Sequence, residues 1–311
     1  MTYVRQIKFS FLILLSSSLC FAFSNSTAPS CPLLKQLIPV PYAPINQEEV
    51  WRLEKQEDQP KAKKLSEILE NKLKTLGIQT RSKVGTGITG AEKVSLSDGT
   101  EAIMKSPIPR YGVSAEAEVA AYKLDQFLGD VVHVPITVKR SLDQKVVTLQ
   151  SFIKDTQHAG QVTNSSYRHS LRFFDFLIDN TDRRPPNLLK TQSGEYVAID
   201  HGLSFRSDFA GKNPNIVSIK KDNAWSLLLT EHCGRLLRAG FSDSCVQAIV
   251  IQSLPPESLY VRVKNTPVSE FQDLFKDLLT QNELDAFLKR RDTFVQVVED
   301  QLKKGKRYPK R

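Results

Sequence analysis

Ile178-Asp179-Asn180-Thr181-Asp182-Arg183-Arg184-Pro185-Pro186-Asn187 leads, through the short apolar run Tyr196-Val197-Ala198-Ile199, into Asp200-His201-Gly202. Asp182 falls on a loop after an apolar helical pattern, where a carboxylate can orient or deprotonate a hydroxyl nucleophile. Asn187, five residues later, offers an amide oxygen, and Asp200, thirteen beyond that, offers a carboxylate. A hard divalent cation such as Mg²⁺ takes oxygen ligands of this kind together with substrate phosphates. Taken singly, the Asp-Arg pair reads as a surface ion pair and the Asp-x-Gly as a turn. Their joint spacing reads as one site.

Upstream, Gly85-Thr86-Gly87-Ile88-Thr89-Gly90 is a G-x-G-x-x-G stretch whose backbone N–H groups can face phosphate oxygens. Alone it is also what a flexible turn looks like. A dinucleotide fold would need the third glycine to open a helix. Ala91–Leu96 has strand character instead, and Ser97-Asp98-Gly99 turns it into a second strand, Thr100–Lys105. Lys105 therefore closes an apolar strand and needs an anion for its ammonium. The next segment predicts a helix capped by Ser114, with Ala117, Ala121, Leu124 and Leu128 at helical spacing and a stop at Gly129. Glu118 on this helix can pair with Lys105. Glu116 is the alternative, since a shift of position rotates the side chain around the helix.

Strand candidates follow at Val134–Arg140 and Lys145–Ile153. Beyond residue 160 the pattern is mostly helical, first at Tyr167, Leu171, Phe174, Leu177 and Ile178. It resumes after the capping box Thr280-Gln281-Asn282-Glu283 with Leu284, Phe287, Leu288, Val295, Val298 and Leu302. A strand-rich half thus precedes a helix-rich half, joined near Phe152–Thr156. The expected fold class is α+β, in two lobes.

These residues carry a resemblance. Asn180-Thr181-Asp182-Arg183, Asn187 and Ala198-Ile199-Asp200-His201-Gly202-Leu203-Ser204-Phe205 resemble the atypical kinases around the phosphatidylinositol 3-/4-kinases. The type II phosphatidylinositol 4-kinases, their bacterial relatives, and the four-jointed and Golgi casein kinases of the secretory pathway are the similar groups. Glu118-Val119-Ala120-Ala121-Tyr122-Lys123-Leu124-Asp125, with Val134-Pro135, looks like that family's helix C and following strand. The resemblance covers roughly residues 78–300. It implies a bilobal protein-kinase-like fold and transfer of the ATP γ-phosphoryl group with Mg²⁺ or Mn²⁺. It further implies that Lys105 holds phosphates, Glu118 anchors Lys105 and Asp182 is the catalytic base. Asn187 and Asp200 would bind metal, Gly85, Gly87 and Gly90 would cover phosphates, and the Leu149–Ile153 stretch, with Gln150 and Phe152, would form the hinge against adenine. Many relatives carry His after Asp-Arg where this chain has Arg184, which could meet an acidic substrate or the transferring phosphate, or face solvent.

The whole chain sets the bounds. It has 311 residues, 40% hydrophobic and 25% charged, with 14 Gly and 16 Pro, which excludes low-complexity and collagen-like classes. Lys and Arg number 43 against 34 acids, a net charge of +9, which favours phosphate-bearing or polyanionic partners. Four cysteines and five scattered histidines do not suggest a metal-stapled fold. Residues 1–24, with Arg5 and Lys8 ahead of the apolar stretch Phe9 to Phe23, read as a signal peptide cleaved before Asn25; the alternative is an uncleaved anchor. The product is then exported, to a periplasm, the extracellular space or a secretory lumen. An oxidising compartment permits a Cys233–Cys245 bridge with Cys31 left over, or three thiols.

The expected organisation is a signal peptide at 1–24 and a Pro-rich leader with helical prefix at 25–77, punctuated at Pro60. The kinase N-lobe would be 78–153, and the C-lobe 154–311 with a basic tail from Lys303. That tail suits an anionic membrane surface or polyanion, or stands as a solvated terminus. The expected partners are ATP and an acceptor, a protein hydroxyl first and a phosphoinositide or sugar next; nucleic acid is not expected. Two other readings use the same fold: a nucleotidyl transferase, and a nucleotide-binding pseudokinase acting as a scaffold. Ser204 to Asn223 has no Ala-Pro-Glu, so ordinary protein-kinase docking is not implied.

Overall fold

The hairpin around Asp98 shows how local chemistry builds the first lobe in the computed structural model, which describes residues 44–84, 90–160, 162–180, 182–206 and 254–308. β2 (Glu92–Leu96) and β3 (Glu101–Lys105) pair antiparallel, and Gly99 takes the left-handed conformation (φ 85°) that a tight turn requires. The Asp98 carboxylate accepts from Thr100 N and Thr100 Oγ1, both at 2.9 Å. It also holds a buried ion pair at 2.8 Å with Lys72 of α2 (Gln59–Thr75). The turn is therefore tied to a helix as well as to its own strands.

β1 (Ile78–Lys83), β4 (Thr137–Leu142) and β5 (Lys145–Ser151) complete a five-stranded antiparallel sheet in the order β1-β2-β3-β5-β4. α3 (Ala115–Leu128) lies between β3 and β4 in sequence and starts where the sequence places it. Ser114 Oγ accepts from Ala117 N at 3.2 Å, and Gly129 ends the helix at φ 92°. Its small residues Ala117, Ala120 and Ala121 are buried with Leu124 and Leu128. α2 grips the same helix from the other side: Glu70 accepts from Tyr122 Oη (2.8 Å) and Lys123 Nζ (2.7 Å).

The strand expected from Val134 begins three residues later. The N–H groups of Val132 and Val134 donate to the buried Asp125 carboxylate at 3.0 and 2.7 Å, so a side chain takes the place of a ladder partner. At the far end β5 stops at Ser151 rather than Ile153, whose side chain packs with Trp51 of α1 (Gln47–Lys55) and Val197. α1 is anchored on both sides of this junction. Gln47 Oε1 accepts from Ile136 N at 2.8 Å, while Lys55 pairs with Glu195 at 2.5 Å. Pro60 does not interrupt a helix; it sits in the first turn of α2, where its missing N–H costs no hydrogen bond.

The second lobe is largely helical. α4 (Ser165–Leu177) is capped by Asn164, and β6 (Thr156–His158), β7 (Leu188–Thr191) and β8 (Tyr196–Ala198) form a small antiparallel sheet beside it. α5 (Glu257–Asn265), α6 (Val268–Leu274) and α7 (Gln281–Lys303) follow, the last opened by the Thr280–Glu283 capping box. Their core is aromatic. Phe173 meets Phe294 with centroids 5.3 Å apart, and Phe287 meets Phe271 at 5.2 Å and Phe275 at 5.0 Å. Each such ring contributes about 1.5–3 kcal/mol by leaving water.

Among the described residues no helix is long and apolar enough to cross a membrane. The signal segment 1–24, the leader as far as residue 43, Gly85, Gly87, Cys31, Cys233, Cys245, the stretch 207–223 and the last three residues of the tail lie outside the described residues.

Candidate active site

Lys105 ends β3 with its ammonium directed inward, between two carboxylates. Nζ is 2.8 Å from Glu118 Oε1 and 3.2 Å from Asp200 Oδ1. Burial alone would push this ammonium down, but Glu118 and Asp200 outweigh it and hold its pKa above the usual lysine range. The choice between the two glutamates is settled by helix rotation. Glu118 points into the core, its side chain only 3% exposed, and its second oxygen accepts from His201 N at 3.2 Å. Glu116 faces outward to Lys139 (2.9 Å) and Ser114 Oγ (3.1 Å).

Asp182 sits on the loop after α4. Its Oδ1 faces Arg184 Nε at 2.8 Å, and its Oδ2 accepts from Arg184 Nη2 at 2.8 Å and Asn187 Nδ2 at 3.2 Å. Burial raises its pKa, with neighbouring Asp200 adding to the rise and Arg184 and Asn187 working against it. Asn187 closes the short 3₁₀ turn Pro185–Asn187, and its amide nitrogen also donates to Asp182 O at 2.7 Å. That orientation commits the amide's N–H groups to Asp182 and turns its oxygen away from them. Asp200 is in the left-handed region (φ 64°), and one of its oxygens is bonded to Lys105.

The donor set suits a hard cation. An amide oxygen and a carboxylate, completed by phosphate oxygens and water, are what Mg²⁺ or Mn²⁺ accepts. No group of three or more His, Cys, Asp or Glu side chains among the described residues makes an all-protein metal cage.

Gly202 packs against the residues that lead into α3. A Cβ built there would lie 2.8 Å from Val113 Cγ1, and Gly202 O accepts from Ser114 N at 2.8 Å. Gly202→Ala should therefore push the start of α3 outward and lengthen the Lys105–Glu118 contact. We expect a KM for ATP raised at least about tenfold for a cost of roughly 1.4 kcal/mol, with a small change in melting temperature; an unchanged KM would show that the segment yields elsewhere.

Two residues went unassigned in the sequence. Arg183 is buried, and its fork bonds Asp175 through Nε and Nη2, both at 3.0 Å. It also donates to the carbonyls of Asn187 and Ile199 and to His201 Nε2, the last at 2.8 Å. Since a guanidinium only donates, His201 carries its proton on Nδ1. Burial, then the charges of Arg183 and Lys105, hold its pKa well below the usual histidine range. The legible signal was Asp175 itself, a carboxylate inside Phe173-Phe174-Asp175-Phe176-Leu177 that could not be buried without a partner.

The expected adenine-side residues are spread along one strand. Leu149 and Gln150 lie within β5, between β3 and β4, with Leu149 fully buried and Gln150 Nε2 donating to Thr137 Oγ1 at 3.0 Å. Phe152 follows the strand, its N–H on Glu101 O at 3.2 Å and Lys93 Nζ 4.0 Å above its ring. Gly90 adopts φ 57°, and the Val84 N to Ala91 O bond (2.9 Å) closes the ends of the glycine-rich connection.

The family model for phosphatidylinositol 3- and 4-kinase matches residues 58–222, more than half of the chain and all five of Lys105, Glu118, Asp182, Asn187 and Asp200. The chain belongs to this kinase family. The Golgi casein kinase, in a crystal structure with Mn and ADP bound, superposes with a TM-score of 0.50 at 16% identity, covering 76% of each chain. Hydra Fam20, solved with sugar, gives 0.51 at 16% identity over 77% of this chain and 90% of its own. At these identities the likeness is one of fold: the kinase family member has the bilobal α+β architecture of those proteins. No curated protein matches it in sequence.

Proposed function

We propose that this kinase is an exported enzyme that moves the γ-phosphoryl group of ATP to a hydroxyl acceptor, with a protein hydroxyl as first choice. The observation that carries the reading is the Lys105 ammonium held between Glu118 and Asp200, with Asp182 and Asn187 on the adjoining loop. Lys105, fixed by Glu118, binds ATP phosphate oxygens; Asp182 orients the acceptor hydroxyl and takes its proton as the oxygen attacks phosphorus. Asn187 and Asp200 would hold Mg²⁺ or Mn²⁺, which neutralises charge building on the phosphates. Phosphoryl transfer asks mostly for positioning and charge stabilisation, and the buried fork of Arg183 supplies rigidity to the loop that carries Asp182 and Asn187. Export is supported by the amino-terminal segment, and a protein acceptor by the likeness to a Golgi casein kinase.

The test compares residues 25–311 given γ-labelled or α-labelled ATP with Mg²⁺ or Mn²⁺ and an acceptor panel of casein-like protein, phosphoinositide vesicles and the enzyme itself. Label from the γ position on protein is expected. Label on lipid would replace the acceptor, label from the α position would make the enzyme a nucleotidyl transferase, and silence from both would leave a nucleotide-binding scaffold.

A further inference from the structure

Gln47, Trp51 and Lys55 recur every fourth residue along α1 and so form one stripe of the helix. Each end of the stripe carries a polar tie, and its middle carries an indole. Gln47 is buried and accepts from Ile136 N at 2.8 Å in the first lobe, while Lys55 pairs with Glu195 at 2.5 Å in the second. Val50 and Leu53 pack elsewhere, with Ala62 and Leu65 of α2, as a separate cluster. The helix thus makes two independent contacts.

Trp51 is buried in a cluster that joins parts of the chain framing the nucleotide site. Ile153 ends the stretch expected to form the hinge against adenine, Val197 belongs to β8, and Leu189 and Ile199 pack against the cluster. Ile199 adjoins Asp200, and its N–H donates to Asn187 O at 3.1 Å. Trp51 also meets the His133 ring, with centroids 5.1 Å apart, and His133 Nδ1 donates to Tyr196 O at 3.0 Å. The indole Nε1 is buried with no hydrogen-bond partner among the described residues. A buried N–H without an acceptor is costly, so what the site uses is the volume of the ring.

Lys105 and Glu118 come from the first lobe and Asp182, Asn187 and Asp200 from the second, so the Lys105–Asp200 contact of 3.2 Å depends on the angle between the lobes. We propose that Trp51 is a positioning residue: wedged between Ile153 and Val197, it fixes the hinge against the strand that leads to Asp200 and so holds the nucleotide cleft at its working width. Gln47 and Lys55 keep the wedge in place from the two lobes. The inference rests on the ATP phosphotransfer reading above for the identity of the nucleotide. It adds to that reading a helix that precedes residue 58, where the family match begins. The indole touches no reacting atom and acts through Ile153, Val197 and Ile199. Its loss should loosen nucleotide binding and leave the transfer step nearly as fast, because the loop of Asp182 and Asn187 keeps its own anchor in Arg183.

Trp51→Ala is expected to raise the KM for ATP and the Kd for ADP together, about tenfold each, with kcat within about threefold of wild type. Trp51→Phe should recover most of the affinity, since the indole N–H has no partner to lose. Leu53→Ala is the control: it truncates a buried side chain of the same helix in the other cluster, and should lower the melting temperature without moving either constant. Gln47→Ala combined with Lys55→Ala leaves the ring in place and removes both polar ties. The same split at about threefold is expected, and this variant decides where Trp51→Ala does not fold. Unchanged nucleotide affinity in the folded variants, or an effect of Leu53→Ala as large as that of Trp51→Ala, would overturn the assignment. Calorimetry reads ADP affinity without any transfer. A wild-type protein that bound ADP and moved no label would therefore end the kinase reading, while a loss of ADP affinity in Trp51→Ala beside an intact Leu53→Ala would still uphold the wedge.

Discussion

Asp200→Ala should lower γ-phosphoryl transfer by about a thousandfold while the chain still folds, since a metal-borne contribution of several kcal/mol to the transition state is worth that factor. Two functions depend on this carboxylate. One oxygen bonds Lys105 at 3.2 Å and helps keep the ammonium charged in a buried place. The side chain is also the only carboxylate of the proposed cation pair, Asn187 supplying a neutral amide. With alanine, Lys105 keeps Glu118 at 2.8 Å, so the lysine stays in position and nucleotide binding through it persists in part. The expected signature is thus a kcat collapse with a smaller change in ATP affinity, and loss of the divalent-metal dependence of that affinity. Label transfer at the wild-type rate in Asp200→Ala would remove Asp200 from the reaction.

Much of this arrangement was readable because its determinants are local. The Asp98-Gly99 turn, the Ser114 cap, the Gly129 stop and the Thr280 capping box each depend on a few neighbouring residues, and each forms where the sequence places it. The Lys105–Glu118 contact spans the end of a strand and the next helix, so its existence was legible. Glu118 was the expected partner with Glu116 as the alternative, and packing of Ala117, Ala120 and Ala121 turns Glu118 rather than Glu116 to the lysine. The late start of β4 has a similar cause. Asp125 takes two backbone donors that alternating hydrophobicity assigns to a ladder, and no pattern within Val132–Val134 reveals that competitor.

Arg183 shows the limit most clearly, because its partners are scattered over Asp175, Asn187, Ile199 and His201. Those partners also determine what its loss should do. Arg183→Met retains most of the volume but leaves the buried Asp175 carboxylate without its cation and takes a donor from the Asn187 and Ile199 carbonyls. Removing one partner of a buried pair costs about 3–5 kcal/mol, so urea denaturation should show a large fall in stability even where expression survives. The Asn187 carbonyl, which also accepts from Ile199 N at 3.1 Å, loses its charged donor at the same time, and transfer activity should fall further than the folded fraction does.

The Asp175→Leu change alone should be comparably harmful, leaving the guanidinium buried without its carboxylate. Combining it with Arg183→Met replaces both charges by apolar groups, and replacement of a buried pair in this way is often close to neutral. The double variant is therefore expected to be more stable than either single one, while remaining poorly active because the Asn187 and Ile199 carbonyls and His201 have lost the Arg183 donor. If the two single costs simply added, the pair would not be the element that holds the loop, and the rigidity of Asp182 and Asn187 would have to come from the prolines instead.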